Sequence, residues 1–148
     1  MGSILKEVSE AIRAAGVNGH VIADMDSESI LSNLRERLGN AKAGGALWEA
    51  LANKVSCHDP NAWRWISDYV RGRTCLLAIR PTLERAAFEF ASGEDLVRVL
   101  GECSAFEFYV TDKEFSFLLC FNHHDYLIAS GAAIDWLRSR IANLPASG

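Results

Sequence analysis

The chain has 148 residues, of which 49% are hydrophobic and 23% are charged, and its net charge is −4. This composition excludes an intrinsically disordered protein and predicts a single folded domain over residues 1–148. Because no apolar run approaches the roughly 20 residues that span a bilayer, and because the first residues lack a secretion signal, a cytoplasmic location is expected.

The first part of the chain carries the signals of amphipathic helices. Ser3 is placed to cap a first helix, and Gly16 is placed to end it. Asp26 or Ser27 is placed to cap a second helix, which Gly39 ends. Apolar residues recur at the spacing of one helix face in both segments, so two amphipathic helices are predicted.

Two further helices are predicted before residue 73. A short one is expected over residues 47–55, where apolar residues follow a flexible glycine pair. Asp59 followed by Pro60 predicts the start of the next helix, because the carboxylate can cap it and proline needs no free N–H at the first helical position. Residues 1–72 are therefore expected to form a helical half.

From residue 73 the hydrophobic pattern becomes that of strands. Strands are predicted over residues 74–79, 86–91, 106–111, 115–121 and 126–129. A helix capped by Ser92 separates the second strand from the third, and another helix over residues 132–142 follows the last strand. The short polar connections at 111–114 and 122–125 suit antiparallel neighbours, which predicts a meander of the last three strands.

This order of elements predicts an α+β fold, with a helical N-terminal half followed by a mainly antiparallel five-stranded sheet that has helices packed on one face. Alternate residues of a strand point to opposite faces of a sheet. The face toward the helices is expected to carry Phe106, Phe108, Val110, Phe115, Phe117, Leu119 and Phe121. The other face is expected to be mixed and to carry Glu89, Glu107, Tyr109, Thr111, Ser116 and Cys120.

The polar connection at residues 122–125 is the first candidate site. Its two histidines and its aspartate, together with His58 elsewhere in the chain, are ligand types that zinc accepts. Adjacent histidines on an extended strand point to opposite faces, so a plain hairpin turn with local backbone hydrogen bonds is favoured. The alternative is a small metal-binding or hydrolytic domain that uses His123, His124 and Asp125.

Other catalytic patterns find little support in the sequence. The cysteines at positions 57, 75, 103 and 120 lie far apart and form no CxxC pair, so reduced and mostly buried thiols are expected. Neither the apolar strand around Cys120 nor the carboxylate after Cys57 activates a thiol. No glycine-rich phosphate loop follows a strand, so no nucleotide or other cofactor is predicted, and a non-enzymatic protein is favoured.

Charge is distributed unevenly along the chain. Residues 81–135 contain ten acidic and three basic residues, a net charge of −7, which leaves +3 for the remainder. Such a segment repels nucleic acid and favours a cationic partner, and no membrane partner is predicted. The alternative is an ordinary solvated surface on which acidic residues cluster by chance.

Two blocks of the strand half, FYVTD at 108–112 and LLCFNHHD at 118–125, carry a resemblance. They are similar to blocks in small bacterial proteins associated with the immunity partners of polymorphic or contact-dependent toxins. The resemblance implies an immunity protein that neutralises a cognate toxin, and it implies no catalytic residue.

The expected partner is a basic toxin whose active site is covered by an acidic surface, because toxins that attack nucleic acids need basic clefts. The predicted contacts are Glu89, Glu107, Tyr109, Asp112, Glu114 and Asp125. Tyr109 is the expected aromatic anchor. A homodimer, and a ligand pocket between helices and sheet, stay open as alternatives.

Overall fold

The structure, a computed structural model, describes residues 3–40 and 45–144. Its strands are β1 (Gly19–Val21), β2 (Val55–His58), β3 (Cys75–Ile79), β4 (Phe88–Phe90), β5 (Phe108–Thr111), β6 (Phe117–Phe121) and β7 (Tyr126–Gly131). They form one sheet in the order β1-β4-β3-β5-β6-β7-β2. Every neighbouring pair is antiparallel, and the predicted meander of β5, β6 and β7 is confirmed.

Within residues 3–40 and 45–144, five α-helices accompany the strands. They are α1 (Ile4–Ala15), α2 (Ser27–Leu38), α3 (Ile66–Val70), α4 (Gly93–Leu100) and α5 (Ile134–Ala142). Short 3₁₀ helices cover Leu47–Glu49 and Ala62–Trp65. Within the two described ranges, none of the helices has the length and apolar character that crossing a bilayer requires.

The helix caps predicted at Ser3, Asp26 and Ser92 are confirmed, whereas the cap predicted at Asp59 is wrong, because the 3₁₀ helix begins after Asn61 and has no side-chain cap. The side chains of Ser3, Asp26 and Ser92 each accept a hydrogen bond from the backbone N–H three residues later. Gly16 ends α1 in the left-handed conformation, with φ of 66°. Caps depend on a few neighbouring residues only, which is why local sequence predicts them well.

The predicted division into a helical half and a five-stranded sheet is wrong. In the described part of the chain the sheet has seven strands, and the helices are spread along the sequence, with α4 and α5 following strands. The two strands that the sequence pattern missed, β1 and β2, are the edges of the sheet and have only three and four residues. The helix predicted over residues 47–55 is a single 3₁₀ turn followed by the start of β2.

Helices also cover both faces of the sheet rather than one. The first face packs against α1, α3, α4 and α5, and the second face packs against α2 and the segment around Leu47. The first face carries Cys75, Leu77, Ile79, Phe88, Phe90, Phe108, Val110, Phe117, Leu119, Phe121, Leu127 and Ala129. The second face carries Leu76, Ala78, Tyr109, Leu118, Cys120 and Ile128.

Two details of the predicted faces change with this arrangement. Phe115 packs with the second face, not the first, because its left-handed conformation (φ 55°) breaks the alternation before β6 begins. The second face is not a mixed surface at its centre, since Tyr109 is 1% exposed and Cys120 is fully buried. The cause is α2, whose Ile30 and Leu34 cover this face.

A buried serine attaches α2 to the sheet. The hydroxyl of Ser27 donates to the backbone oxygen of Ala86 at 2.8 Å and accepts from the backbone N–H of Ile79 at 2.9 Å. These two bonds fix the start of the helix against neighbouring segments of the sheet. Ile79 lies level with Phe108 and Phe121, so this attachment is at the same end of the sheet as the turn after β6, where polar residues gather.

Candidate functional site at the histidine turn

Residues 122–125 connect β6 to β7 and form a braced turn. Oδ1 of Asn122 accepts hydrogen bonds from the backbone N–H groups of His124 (3.0 Å) and Tyr126 (3.1 Å). Asp125 adopts the left-handed conformation, with φ of 64°, which aspartate tolerates better than most residues. The turn leaves three side chains exposed to solvent: His123, His124 and Asp125. The predicted hairpin turn is therefore confirmed, including the local backbone bonds of Asn122.

Antiparallel register places a row of polar side chains beside this turn. Tyr109, Cys120 and Ile128 are aligned across the second face. Each of their strands presents its next same-face residue two positions further toward the turn. That outer row contains Arg80, Glu107, Asn122, Tyr126 and His58. The register of the sheet thus brings together residues from five strands and their ends.

Glu107 is the centre of this row and is only 5% exposed. Its Oε2 accepts hydrogen bonds from the guanidinium of Arg80 at 2.9 Å and from the hydroxyl of Tyr109 at 2.8 Å. Its Oε1 lies 3.2 Å from Nδ1 of His123. Both carboxylate oxygens have partners, which is the condition for burying a charged group.

Ionisation in this cluster follows from burial and from those partners. Burial acts to raise the pKa of Glu107, but hydrogen bonds from Tyr109, His123 and Arg80 outweigh it and hold the pKa below its ordinary value. Burial raises the pKa of Tyr109 far above its ordinary value, so this side chain is a neutral hydrogen-bond donor. The cluster therefore contains one carboxylate and one guanidinium, with Tyr109 bridging to the core.

His123 connects the buried carboxylate of Glu107 to the exposed surface of the turn, where its ring packs against that of His124. Their ring centroids lie 3.9 Å apart, and the side chain of His123 is 56% exposed. Because Nδ1 of His123 faces a carboxylate, Nε2 is the nitrogen left to exchange a proton with a bound molecule. The pair can therefore orient an imidazole for acid–base work or simply hold the turn in place.

The turn separates two pockets that lie on opposite faces of the sheet. The pocket on the second face, here the turn pocket, has a volume of about 200 Å³ and is lined by Trp48, Lys54, Ser56, Asn122, His124, Tyr126 and Ile128. The pocket on the first face, here the aromatic pocket, has a volume of about 120 Å³ and is lined by Pro60, Trp63, Leu100, Ser104, Ala105, Phe106, Phe108, Phe121 and Asp125. One short turn thus contributes side chains to both cavities.

The six predicted contact residues divide into two groups at opposite ends of β6. Glu107, Tyr109 and Asp125 lie at the histidine turn, whereas Asp112 and Glu114 lie in the turn before β6. Glu89 belongs to the second group, since its carboxylate is 3.1 Å from Nζ of Lys113. The structure does not assemble the six into one acidic surface.

Exposure separates these residues further. Glu107 and Tyr109 are buried, so neither is accessible as a contact in this conformation, and Tyr109 is not the exposed aromatic anchor that the pattern predicted. Asp112 is occupied by the backbone N–H of Ser116 at 2.9 Å and by the same residue's hydroxyl. The predicted contacts that are exposed are Glu114 and Asp125.

Sequence reasoning missed several side chains of this site. Tyr126 is a 40% exposed aromatic ring directly after the turn. Arg80 follows a fully buried strand, and a charged residue at that position was the one local signal available. Trp48 and Lys54 belong to a segment that was predicted to be helical, so nothing in the pattern placed them beside the turn.

The metal alternative has no ligand set among the residues that the structure describes. Within residues 3–40 and 45–144, no group of three or more histidine, cysteine, aspartate or glutamate side chains is arranged to hold a metal ion. The ring of His58 instead packs on Tyr126, with centroids 4.9 Å apart. All four cysteines are free thiols, and burial raises the pKa of Cys75 to about 12.

Comparison with models of known protein families, with curated proteins and with solved structures gave no match to this chain.

Proposed function

We propose that the protein is a cytoplasmic binding protein, an immunity protein that neutralises the basic toxin of a cognate pair. The resemblance of the FYVTD and LLCFNHHD blocks to proteins associated with toxin immunity supports this proposal. The net charge of −7 over residues 81–135 supports a basic partner. The contact surface consists of the exposed side chains of His123, His124, Asp125 and Tyr126, here the turn surface.

The observation that carries the proposal is the bracing of this turn. Asn122 fixes two backbone N–H groups, the carbonyl of Asp125 accepts from the backbone N–H of Asp59 at 3.0 Å, and His123 contacts Glu107. A surface that is already ordered loses less conformational entropy when a partner binds. Exposed polar and aromatic side chains on a rigid turn are therefore suited to specific protein recognition.

Charge on the turn surface fits the same partner. Asp125 carries an exposed carboxylate that has no ion pair among the described residues. The adjoining aromatic pocket, with Trp63 and Phe121 in its wall, is lined by the same aspartate. An aromatic wall next to a carboxylate accommodates a lysine or arginine side chain by charge attraction and by cation–π contact.

Basic proteins encoded beside this gene are purified, and their binding to the chain is measured by calorimetric titration. We expect a salt-sensitive complex, which Tyr126→Ala weakens by about 30-fold and Asp125→Asn by about threefold to tenfold. Asparagine also tolerates the left-handed conformation at position 125, so Asp125→Asn removes charge without straining the turn.

Glu114→Gln is the matched control, because Glu114 is exposed at the other end of β6. It should bind like the wild type. A complex that loses affinity in Glu114→Gln but not in Tyr126→Ala or Asp125→Asn would overturn the proposed surface. Failure of every basic neighbour to bind, or of the chain to protect cells that express such a neighbour, would overturn the immunity function itself.

One observation favours a second candidate, a small hydrolytic enzyme. His123 is oriented by a carboxylate as a general base would be, although the carboxylate is Glu107 and not the neighbouring Asp125. Nε2 of His123 would then take a proton from water, with Arg80 beside the same carboxylate. Hydrolysis of nitrophenyl esters or phosphates that His123→Gln abolishes, without loss of fold, would favour this candidate over the first.

A further inference from the structure

We propose that the turn pocket binds a small molecule that carries a carboxylate on a flat, apolar body. This site goes beyond the proposed function, which uses the exposed surface of the turn. Trp48, Tyr126 and Ile128 give the cavity an aromatic and aliphatic wall. Such walls favour a ring, since aromatic groups stack or pack edge to face on one another.

Two polar side chains around the same cavity, Lys54 and Asn122, offer hydrogen-bond donors. Nζ of Lys54 donates to the backbone oxygen of Trp48 at 3.0 Å, which holds the ammonium beside the cavity. The side-chain oxygen of Asn122 is occupied by two backbone N–H groups, so its amide N–H₂ is the end left for a ligand. No carboxylate is among the seven lining residues. The ammonium group of Lys54 and the amide N–H₂ of Asn122 therefore favour an anionic ligand.

The side chain of Trp48 gives independent support for a ligand that carries a hydrogen-bond acceptor. Its indole N–H is buried and has no hydrogen-bond partner in the part of the chain that the structure describes. Buried donors are nearly always paired in folded proteins, and the Trp48 side chain that carries this unpaired donor also lines the turn pocket. An oxygen of a bound carboxylate provides such an acceptor, given a small turn of the ring.

The volume limits the size of the ligand. About 200 Å³ equals the space of roughly six or seven water molecules at about 30 Å³ each. One aromatic ring with one carboxylate fits that space, and a nucleotide does not. The aromatic wall disfavours a small inorganic anion, because such an anion would leave the apolar surfaces without a contact.

The test is an NMR titration of the ¹⁵N-labelled chain with benzoate, benzamide and acetate as probes. We expect benzoate to shift the indole N–H signal of Trp48, identified by its loss in Trp48→Phe, together with the amide signals of His124 and Tyr126. Benzamide lacks the charge and acetate lacks the ring, so each should bind about tenfold more weakly.

Variants of Lys54 show how much of the affinity for benzoate comes from the ammonium charge and how much from the fit of the ring in the pocket. Lys54→Met and Lys54→Gln should weaken benzoate about tenfold and leave benzamide unchanged. Lys6→Met is the matched control, because Lys6 is exposed on α1 and lies outside the pocket. Equal affinity for benzoate and benzamide, equal affinity for benzoate and acetate, or no shift of the Trp48 signal at millimolar benzoate would overturn the proposal. Each outcome leaves the toxin-binding test unaffected.

Discussion

Oε1 of Glu107 lies 3.2 Å from Nδ1 of His123, so a buried carboxylate reaches a histidine in an exposed turn 16 residues further along the chain. The other oxygen of the same carboxylate is bonded to Arg80 and Tyr109. The rigidity of the turn surface therefore depends on a group that no partner can touch directly. Changes at Glu107 should affect stability first and binding only through the turn.

Glu107→Gln should lower the free energy of unfolding by about 1–3 kcal/mol, because the amide loses the charge that Arg80 requires and can satisfy fewer donors. Urea denaturation followed by circular dichroism measures the change. Glu114→Gln, an exposed glutamate, should stay within about 0.5 kcal/mol of the wild type. Equal effects of the two substitutions would contradict the role given to the cluster.

Stability should also depend on pH through Glu107. Its pKa is lower in the folded state than in the unfolded chain, so the ionised form stabilises the fold above the unfolded pKa, about 4.3. That contribution is lost as the pH falls through the folded value. The stability difference between wild type and Glu107→Gln should therefore be full at pH 7 and shrink toward pH 3. A difference that grows on acidification would refute the direction of the pKa shift.

Tyr109→Phe removes the buried hydroxyl that donates to Glu107 and should cost about 1 kcal/mol of stability. Tyr126→Phe is its control, because the ring of Tyr126 is 40% exposed and its hydroxyl makes no hydrogen bond to a described residue. Thermal denaturation of the two variants separates them. The reverse order of stabilities would mean that the hydroxyl of Tyr109 contributes nothing.

Asn122→Ala should loosen the histidine turn. The side chain satisfies two backbone N–H groups, each worth about 1 kcal/mol, so a loss of about 2 kcal/mol is expected. Amide exchange at His124 and Tyr126 should accelerate as well. In Asn33→Ala, which removes one exposed hydrogen bond on α2, exchange at the turn should be unchanged. Protected amides in Asn122→Ala would show that other contacts hold the turn.

Gly93→Ala should destabilise the contact between α3 and α4. An added Cβ would lie 2.8 Å from Cβ of Val70 and 3.1 Å from the backbone nitrogen of Arg71, so the helices must separate, at about 1–3 kcal/mol. Gly72→Ala meets nothing within 4 Å and is the matched control. Chemical denaturation of both variants makes the comparison. Similar midpoints would indicate that the two helices separate at little cost.

The candidate site could be predicted from the sequence only in part. The turn at residues 122–125 was recognisable, because four polar residues separate two apolar strands. Its partners were not, since Trp48, Lys54, Arg80 and Glu107 come from separate segments that only the register of the sheet aligns. Tyr109 was assigned to an open face because its strand alternates, although alternation does not reveal what covers a face.

Local sequence determined the caps at Ser3, Asp26 and Ser92, the five inner strands and the meander of β5, β6 and β7, because each depends on neighbouring residues or on a repeat within one segment. Tertiary structure alone decided that the edge strands β1 and β2 join the sheet and that α2 covers its second face. It alone decided that Glu107 meets His123. Those outcomes depend on the pairing of distant segments. The sequence of an amphipathic helix or of a short strand shows which of its faces is apolar, but it does not specify the surface against which that face packs.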